Sequence, residues 1–343
     1  MNYIDTITPE IKEYFKILEP EFPEWVNEYI NTPAMQRLQY ITVACGKTYS
    51  KLFDEKDYNT LDHSIGVALI VWHFTHDKKQ TLSGLFHDIA TPVFKHTIDF
   101  MNGDYMNQES TEDLTTKIIE SSTEITNLLK RDNIQISEVC DYHIYPIADN
   151  DTPKLSSDRL EYTLSNGHFV YDDITLEQLK NIYNNLEIQT NEDGIDEIAF
   201  RTKEMAELFA IKASNYAIKY RTPETRYSMQ LIADILKIMN EQSLITIDDL
   251  YNLKELEVVD LIKSCTFKDI NKKYKIWLNS TEVHISNQEP AAVYYVHHGA
   301  KIRYIDPLCN GCRISTISEE AKNAINHNFN YPMDEYIYLD FEL

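Results

Sequence analysis

Leu61-Asp62-His63-Ser64-Ile65-Gly66-Val67 begins a stretch, Ser64 to Phe74, that is apolar almost throughout. A helix hydrophobic all round belongs inside a bundle. Gly84-Leu85-Phe86-His87-Asp88-Ile89 then sets His87 and Asp88 side by side in apolar sequence at a second helix end. An ionised carboxylate in a low-dielectric site must be paired or must coordinate a metal, and one ion accounts for His63, His87 and Asp88 together. A third stretch, Leu155-Ser156-Ser157-Asp158-Arg159-Leu160-Glu161-Tyr162, puts Asp158 on a helix face with Tyr162 one turn later.

Two imidazoles and two carboxylates make a mixed nitrogen–oxygen set. It suits Mn, Fe, Co, Ni or Zn and is unlike an all-oxygen Mg site. Such an ion leaves coordination positions for water and a substrate oxygen, acidifies the water and polarises a phosphoryl group. Taken alone, His-Asp is a frequent dipeptide that a helix-end salt link explains; the ordered set points to a metal.

The composition narrows the field. The chain has 343 residues, and Lys+Arg 32 against Asp+Glu 55 leaves a net charge of −23. A net anion repels phosphates except at a local basic pocket or a bound cation, so no duplex nucleic acid is expected. Hydrophobic content of 43% and charged content of 25% belong to a folded domain. Glycine, at 8 residues, is too scarce for a turn-dense sandwich or barrel, and no GxGxxG occurs. No apolar run approaches the ~18 residues of a membrane span. The N-terminus lacks a basic start and an apolar stretch, so no signal peptide is expected. Five scattered cysteines suit a reducing cytoplasm.

Working outward, Thr8-Pro9, Thr32-Pro33 and Thr222-Pro223 open helices by an N-cap followed by proline. Helices are expected over 81–89, 113–129, 155–164, 176–186, 202–220, 223–240 and 250–264. Beyond that, Ala291 to His297 and Lys301 to Asp306 read as two β-runs around His298-Gly299-Ala300, a hairpin, and Tyr336 to Leu343 could add a strand. The expectation is a mainly α protein: a helical metal-binding catalytic domain over 1–240 and a small α/β region over 241–343.

These blocks resemble the HD-domain phosphohydrolases, in particular the branch of deoxynucleoside triphosphate triphosphohydrolases, the dGTPase-like enzymes. The resemblance covers roughly 23–235 and includes Ile30-Asn31-Thr32-Pro33-Ala34-Met35-Gln36-Arg37-Leu38 beside the three stretches above. It implies an HD-type helical bundle with metal ligands at His63, His87, Asp88 and Asp158. Phe94-Lys95-His96-Thr97-Ile98-Asp99 is similar to a family run whose histidine, supported by the acid, serves as acid/base, so His96 and Asp99 inherit that role. Read without the family, His96 is a helix-cap or core histidine. The resemblance places Arg159, Tyr162, Lys212 and Tyr220 at substrate contacts. By spacing alone, Lys212, Tyr216 and Tyr220 form a half-buried aromatic stripe with a snorkelling lysine. A divalent ion as cofactor, a small nucleotide as partner and self-association are implied as well.

The departures lie in substrate recognition. Thr60 stands where the branch has Arg, Thr91 where it has His or Asn, and Gln108-Glu109 where it has a His-Glu pair. Val43 stands for a sugar-reading glutamine and Asn166 for an acid. The metal set is intact while the pocket is more neutral. The expected reaction is therefore metal-dependent hydrolysis of a nucleotide, first a dNTP to deoxynucleoside plus triphosphate. A monophosphate, a cyclic nucleotide or a non-catalytic nucleotide sensor are the alternatives.

Three weaker signals remain. Cys45-Gly46-Lys47-Thr48 mimics the end of a P-loop, but Ile41 stands where the first glycine is needed. Cys309-Asn310-Gly311-Cys312 is a lone CxxC, read as a turn with two free thiols. Lys301 and Arg303 fall on one face of the expected strand, either toward a phosphate pocket or as charges guarding a sheet edge.

Overall fold

The computed structural model describes residues 2–56, 58–108 and 114–342. The fold is mainly helical, as expected, and it holds two small sheets, one of which includes strands at Leu186–Thr190 and Asp196–Phe200 that the sequence reading did not foresee. At its centre the helix Thr60–Thr75 runs through the core with Leu61, Ile65, Leu69 and Ile70 fully buried. Asn59 starts it, its side chain accepting from the Asp62 backbone N–H. Against it pack the helix Lys78–Phe86, capped by Asp77, and the helix Ser157–Ser165, capped by Ser156. Pro9–Leu18, Lys203–Lys219 and Pro223–Glu241 complete the main helices of the N-terminal part.

One sheet has strand order β1-β2-β5-β6, from Leu186–Thr190, Asp196–Phe200, Leu308–Cys309 and Cys312–Arg313. β1 and β2 are antiparallel, β5 joins β2 in parallel with Phe200 opposite Cys309, and β6 returns antiparallel. The other is the antiparallel set β3-β7-β4, from His284–Ser286, Tyr336–Glu342 and Val293–Val296. The expected division at 240 falls at the end of the Pro223–Glu241 helix. Segments beyond it enter two cores: Ile305, Cys309, Ile314 and Ala321 join the core of the central helix, while Ile262, Tyr274 and Trp277 pack with Val93, Phe94 and Tyr227.

The strand expected over 301–306 does not form. β4 pairs with β7, and the Lys301 and Asp306 backbone N–H groups donate instead to Tyr105 O and Pro153 O. Those hydrogen bonds to loops leave no ladder to share. The single helix expected over 113–129 is two, Thr115–Ser121 and Thr123–Arg131, because the Ser122 hydroxyl caps the second by accepting from Ile125 N. Asp113 lies outside the described residues. Cys309 and Cys312 are free thiols facing each other across the Asn310-Gly311 turn. No helix among the described residues is long and apolar enough to cross a membrane.

Candidate metal centre

Three helical segments converge on one point. His63 comes from the first turn of the central helix, His87 and Asp88 follow the end of Lys78–Phe86, and Asp158 sits at the start of Ser157–Ser165. His63 Nε2 lies 3.1 Å from His87 Nε2 and 3.2 Å from Asp158 Oδ1. Asp88 Oδ2 is 3.8 Å from His63 Nε2 and 3.7 Å from His87 Nε2, and Asp158 Oδ1 is 3.6 Å from His87 Nε2. With metal–donor bonds of about 2.0–2.2 Å, neighbouring ligands of one ion stand about 3 Å apart. The residues therefore fit an ion, the ligand atoms of His63, His87 and Asp88 all lying within 4.8 Å of one another.

The far sides of both imidazoles strengthen the fit. His87 Nδ1 donates to Gly84 O at 2.7 Å, and His63 Nδ1 donates to the Glu161 carboxylate. Both rings are thereby held with Nδ1 protonated and Nε2 turned to the common point, as metal-ligating histidines require. Glu161 is fully buried and accepts from Tyr14 OH at 3.0 Å, Tyr58 OH at 3.1 Å and Ser165 Oγ at 3.1 Å. Gly66 makes this possible: a Cβ there would stand 2.7 Å from Glu161 Oε1 and 2.8 Å from its Cγ.

Charge follows geometry. Burial opposes ionisation of Asp88, but Lys95, His87 and His63 outweigh it and hold the carboxyl well below the usual range. The Lys95 ammonium lies 2.5 Å from Asp88 Oδ2. Asp158, buried but bonded to His63, is pushed down to about 2. The pKa of His96 is lowered as well, but here burial favours the neutral ring, despite the Asp99 carboxylate 3.0 Å from its Nδ1. Asp99 thus orients a neutral ring whose Nε2 accepts from Arg303 Nη2 at 3.3 Å.

The centre lies in the wall of a cavity of about 530 Å³ that also takes in His96, Arg159, Tyr162 and Tyr220. Arg159 is engaged by Asp149 at 3.2 Å and by Lys154 O at 2.7 Å; the Tyr220 hydroxyl accepts from Asn166 Nδ2 at 2.9 Å. Lys212 is not brought to the cavity: its Nζ pairs with Asp173 at 2.8 Å, which also accepts from Tyr216 OH at 2.6 Å. A nearby acid, invisible in the helical spacing, turned that lysine aside. Of the departures, Val43, Gln108 and Asn166 line the cavity, whereas Thr60 Oγ1 donates to Ile41 O and the Thr91 carbonyl accepts from Arg37. Glu109 lies outside the described residues.

Several residues lining the cavity have either no role or, for Lys301 and Arg303, two competing ones in the sequence reading. Lys47, set aside with the P-loop look-alike, is buried in the cavity wall 2.6 Å from Glu55. Lys301, Arg303 and Tyr304 enter from the C-terminal segment. Glu161 follows Asp158 by three residues on one helix face, a spacing that could have signalled a second acid aimed at the same centre.

No family model matches the chain. YdhJ, an uncharacterized protein of Bacillus subtilis, is 25% identical over 250 residues, 72% of each chain. An uncharacterized protein of Mycoplasma genitalium is 26% identical over 211 residues, 55% of this chain and 49% of that one. Among solved structures, a hypothetical protein from Aquifex aeolicus superposes with a TM-score of 0.62 at 17% identity, covering 91% of each chain. A phosphohydrolase from Bacteroides thetaiotaomicron does so with a TM-score of 0.59 at 12% identity, over 91% of this chain and 94% of that one. These likenesses establish a shared fold along nearly the whole chain.

Proposed function

We propose that this protein is a metal-dependent phosphohydrolase of the HD type acting on a small nucleotide in the cytoplasm. The observation that carries the reading is the pair of histidines, each fixed at Nδ1, presenting Nε2 atoms 3.1 Å apart beside Asp88 and Asp158. The phosphohydrolase name of the Bacteroides structure supports it. A bound divalent ion would supply an acidified water and polarisation of a phosphoryl oxygen.

The chain's own residues supply the rest. His63, His87, Asp88 and Asp158 would hold the ion. His96 Nε2, its ring oriented by Asp99, would take or return a proton at the leaving oxygen. Cationic groups at the cavity offset phosphate charge in a molecule that is otherwise strongly anionic. Tyr162 and Tyr220, with ring centroids 6.3 Å apart, border the space next to Asp158 and would face the substrate.

The substrate we propose first is a deoxynucleoside triphosphate, cleaved to deoxynucleoside and triphosphate. Val43, Gln108 and Asn166 in the cavity favour a second reading, a monophosphate or cyclic nucleotide, because these side chains carry no charge where the resembled enzymes place polar or charged groups. Chromatographic product analysis with Mn²⁺ and a panel of dNTPs, NTPs, monophosphates and cyclic nucleotides separates them. The wild type should release product and a His87→Ala/Asp88→Ala variant should lose both metal and turnover. Full turnover in the variant would refute the assignment.

A further inference from the structure

Residues 300–306 carry side chains from the C-terminal part into the cavity wall, and their path is held at several points. Ala300 and Ile305 are buried, Lys301 N donates to Tyr105 O at 3.1 Å, and Asp306 N donates to Pro153 O at 2.9 Å. Between them Arg303 O accepts from Asn328 Nδ2 at 2.9 Å, and fully buried Asn328 is itself gripped by the Arg221 guanidinium. The Tyr304 ring packs edge-on against Phe329, centroids 4.5 Å apart. Arg303 is therefore presented by a fixed backbone.

Its partners set it apart from other cations of the cavity. Lys47 is neutralised by Glu55, Lys95 by Asp88 and Arg159 by Asp149. Among the described residues the Arg303 guanidinium has no carboxylate partner, and its contact in the cavity is His96 Nε2 at 3.3 Å. A guanidinium has five N–H donors, and one long bond to a neutral imidazole uses little of that capacity. An oxyanion is the better acceptor, because charge-assisted and bidentate pairs are roughly twice as strong as neutral ones.

We propose that Arg303 is a phosphate-binding residue of the substrate site, and that a phosphoryl oxygen draws its guanidinium away from His96 Nε2. The proposal rests on the hydrolase reading above. His96 then acquires a free Nε2 lone pair only when a phosphate is in place, which couples recognition by the C-terminal segment to proton transfer at His96.

The test compares Mn²⁺-loaded wild type, Arg303→Gln and Arg303→Lys, full length. Metal stoichiometry on each reports whether fold and centre are intact. Steady-state constants are measured on the nucleotide that the wild type hydrolyses, with inorganic tripolyphosphate as competitor. Arg303→Gln should keep its metal while KM and the tripolyphosphate inhibition constant rise about 10- to 100-fold, the worth of a hydrogen bond to a charged group. Arg303→Lys, which keeps charge but not the fork, should recover part of that loss. Both constants within about twofold of wild type in a metal-replete Arg303→Gln overturn the role of Arg303 alone. Should Gln lose the metal, Lys decides: weakened tripolyphosphate inhibition supports the role and unchanged inhibition overturns it. A wild type that holds Mn²⁺ yet turns over no nucleotide and binds no tripolyphosphate overturns the hydrolase reading, and the role of Arg303 with it.

Discussion

His63 is held on both sides, by the Glu161 carboxylate at Nδ1 and by Asp158 and His87 at Nε2. Burial disfavours a charge on this ring, but Glu161 and Asp158 outweigh it and push its pKa up to about 10. In protein stripped of metal, Nε2 therefore carries a proton at neutral pH that an incoming cation must displace. A raised pKa on a ligand weakens metal binding below that pKa and relaxes above it. Affinity for Mn²⁺ should climb with pH from neutrality toward about 10, approaching tenfold per unit for one displaced proton. Titration calorimetry in buffers of different ionisation enthalpy would show about one proton released per ion; an affinity flat between pH 7 and pH 9 would contradict this. The candidate ligands could be picked out in sequence, because His87 and Asp88 are covalent neighbours and His63 opens a buried helix. Glu161 was not assigned, since an acid three residues past Asp158 reads equally as a solvated helix face.

The central helix and the Ser157–Ser165 helix approach closely at Gly66, where a methyl group would meet Glu161 Oε1 and Cγ inside 3 Å. Glu161 cannot swing aside cheaply, because Tyr14, Tyr58, Ser165 and His63 all hold it. Gly66→Ala should therefore cost about 1–3 kcal/mol, the usual range for overpacking a dense core, and weaken metal binding along with stability. Chemical denaturation and metal titration on the same variant would measure both; a variant as stable as wild type with unchanged metal affinity would mean the helices relax freely. A similar contact lies at the turn before Lys47. Gly46 adopts φ +76° and sits against the Phe94 ring, while Phe94 and Lys95 have φ of 65° and 44°. Backbone strain of this kind at non-glycine residues persists where the surroundings over-determine it, and here it delivers Lys95 to Asp88 and His96 to the cavity. Helix starts were readable from Thr8, Thr32 and Thr222, each followed by proline. The break at Ser122 was not, because a serine inside a periodic stretch can either continue a helix or cap the next one.

Over the whole molecule, the candidate metal centre draws on segments separated by roughly a hundred residues of chain, so binding of an ion there should be linked to global stability. An ion present at a hundred times its dissociation constant stabilises the folded state by about 2.7 kcal/mol, which corresponds to a rise of several degrees in Tm for a chain of this size. Differential scanning calorimetry before and after chelation should show that loss, restored by Mn²⁺; a Tm indifferent to metal would place the ion outside this junction. What the sequence by itself determined was local: the mainly helical class, the buried central helix and the starts of several helices, set by residue periodicity and capping, together with candidate ligands picked out by the cost of burying polar groups alone, whereas His96 and Asp99 were named only through the family resemblance. Only the tertiary structure decided which cations serve the cavity. Lys212 went to Asp173, 39 residues away, and the 301–306 segment became a cavity wall instead of a strand, bringing Arg303 to His96 across 207 residues. A charge takes its nearest partner in space, and proximity across such separations is fixed by how the helices and sheets pack, which no local pattern encodes.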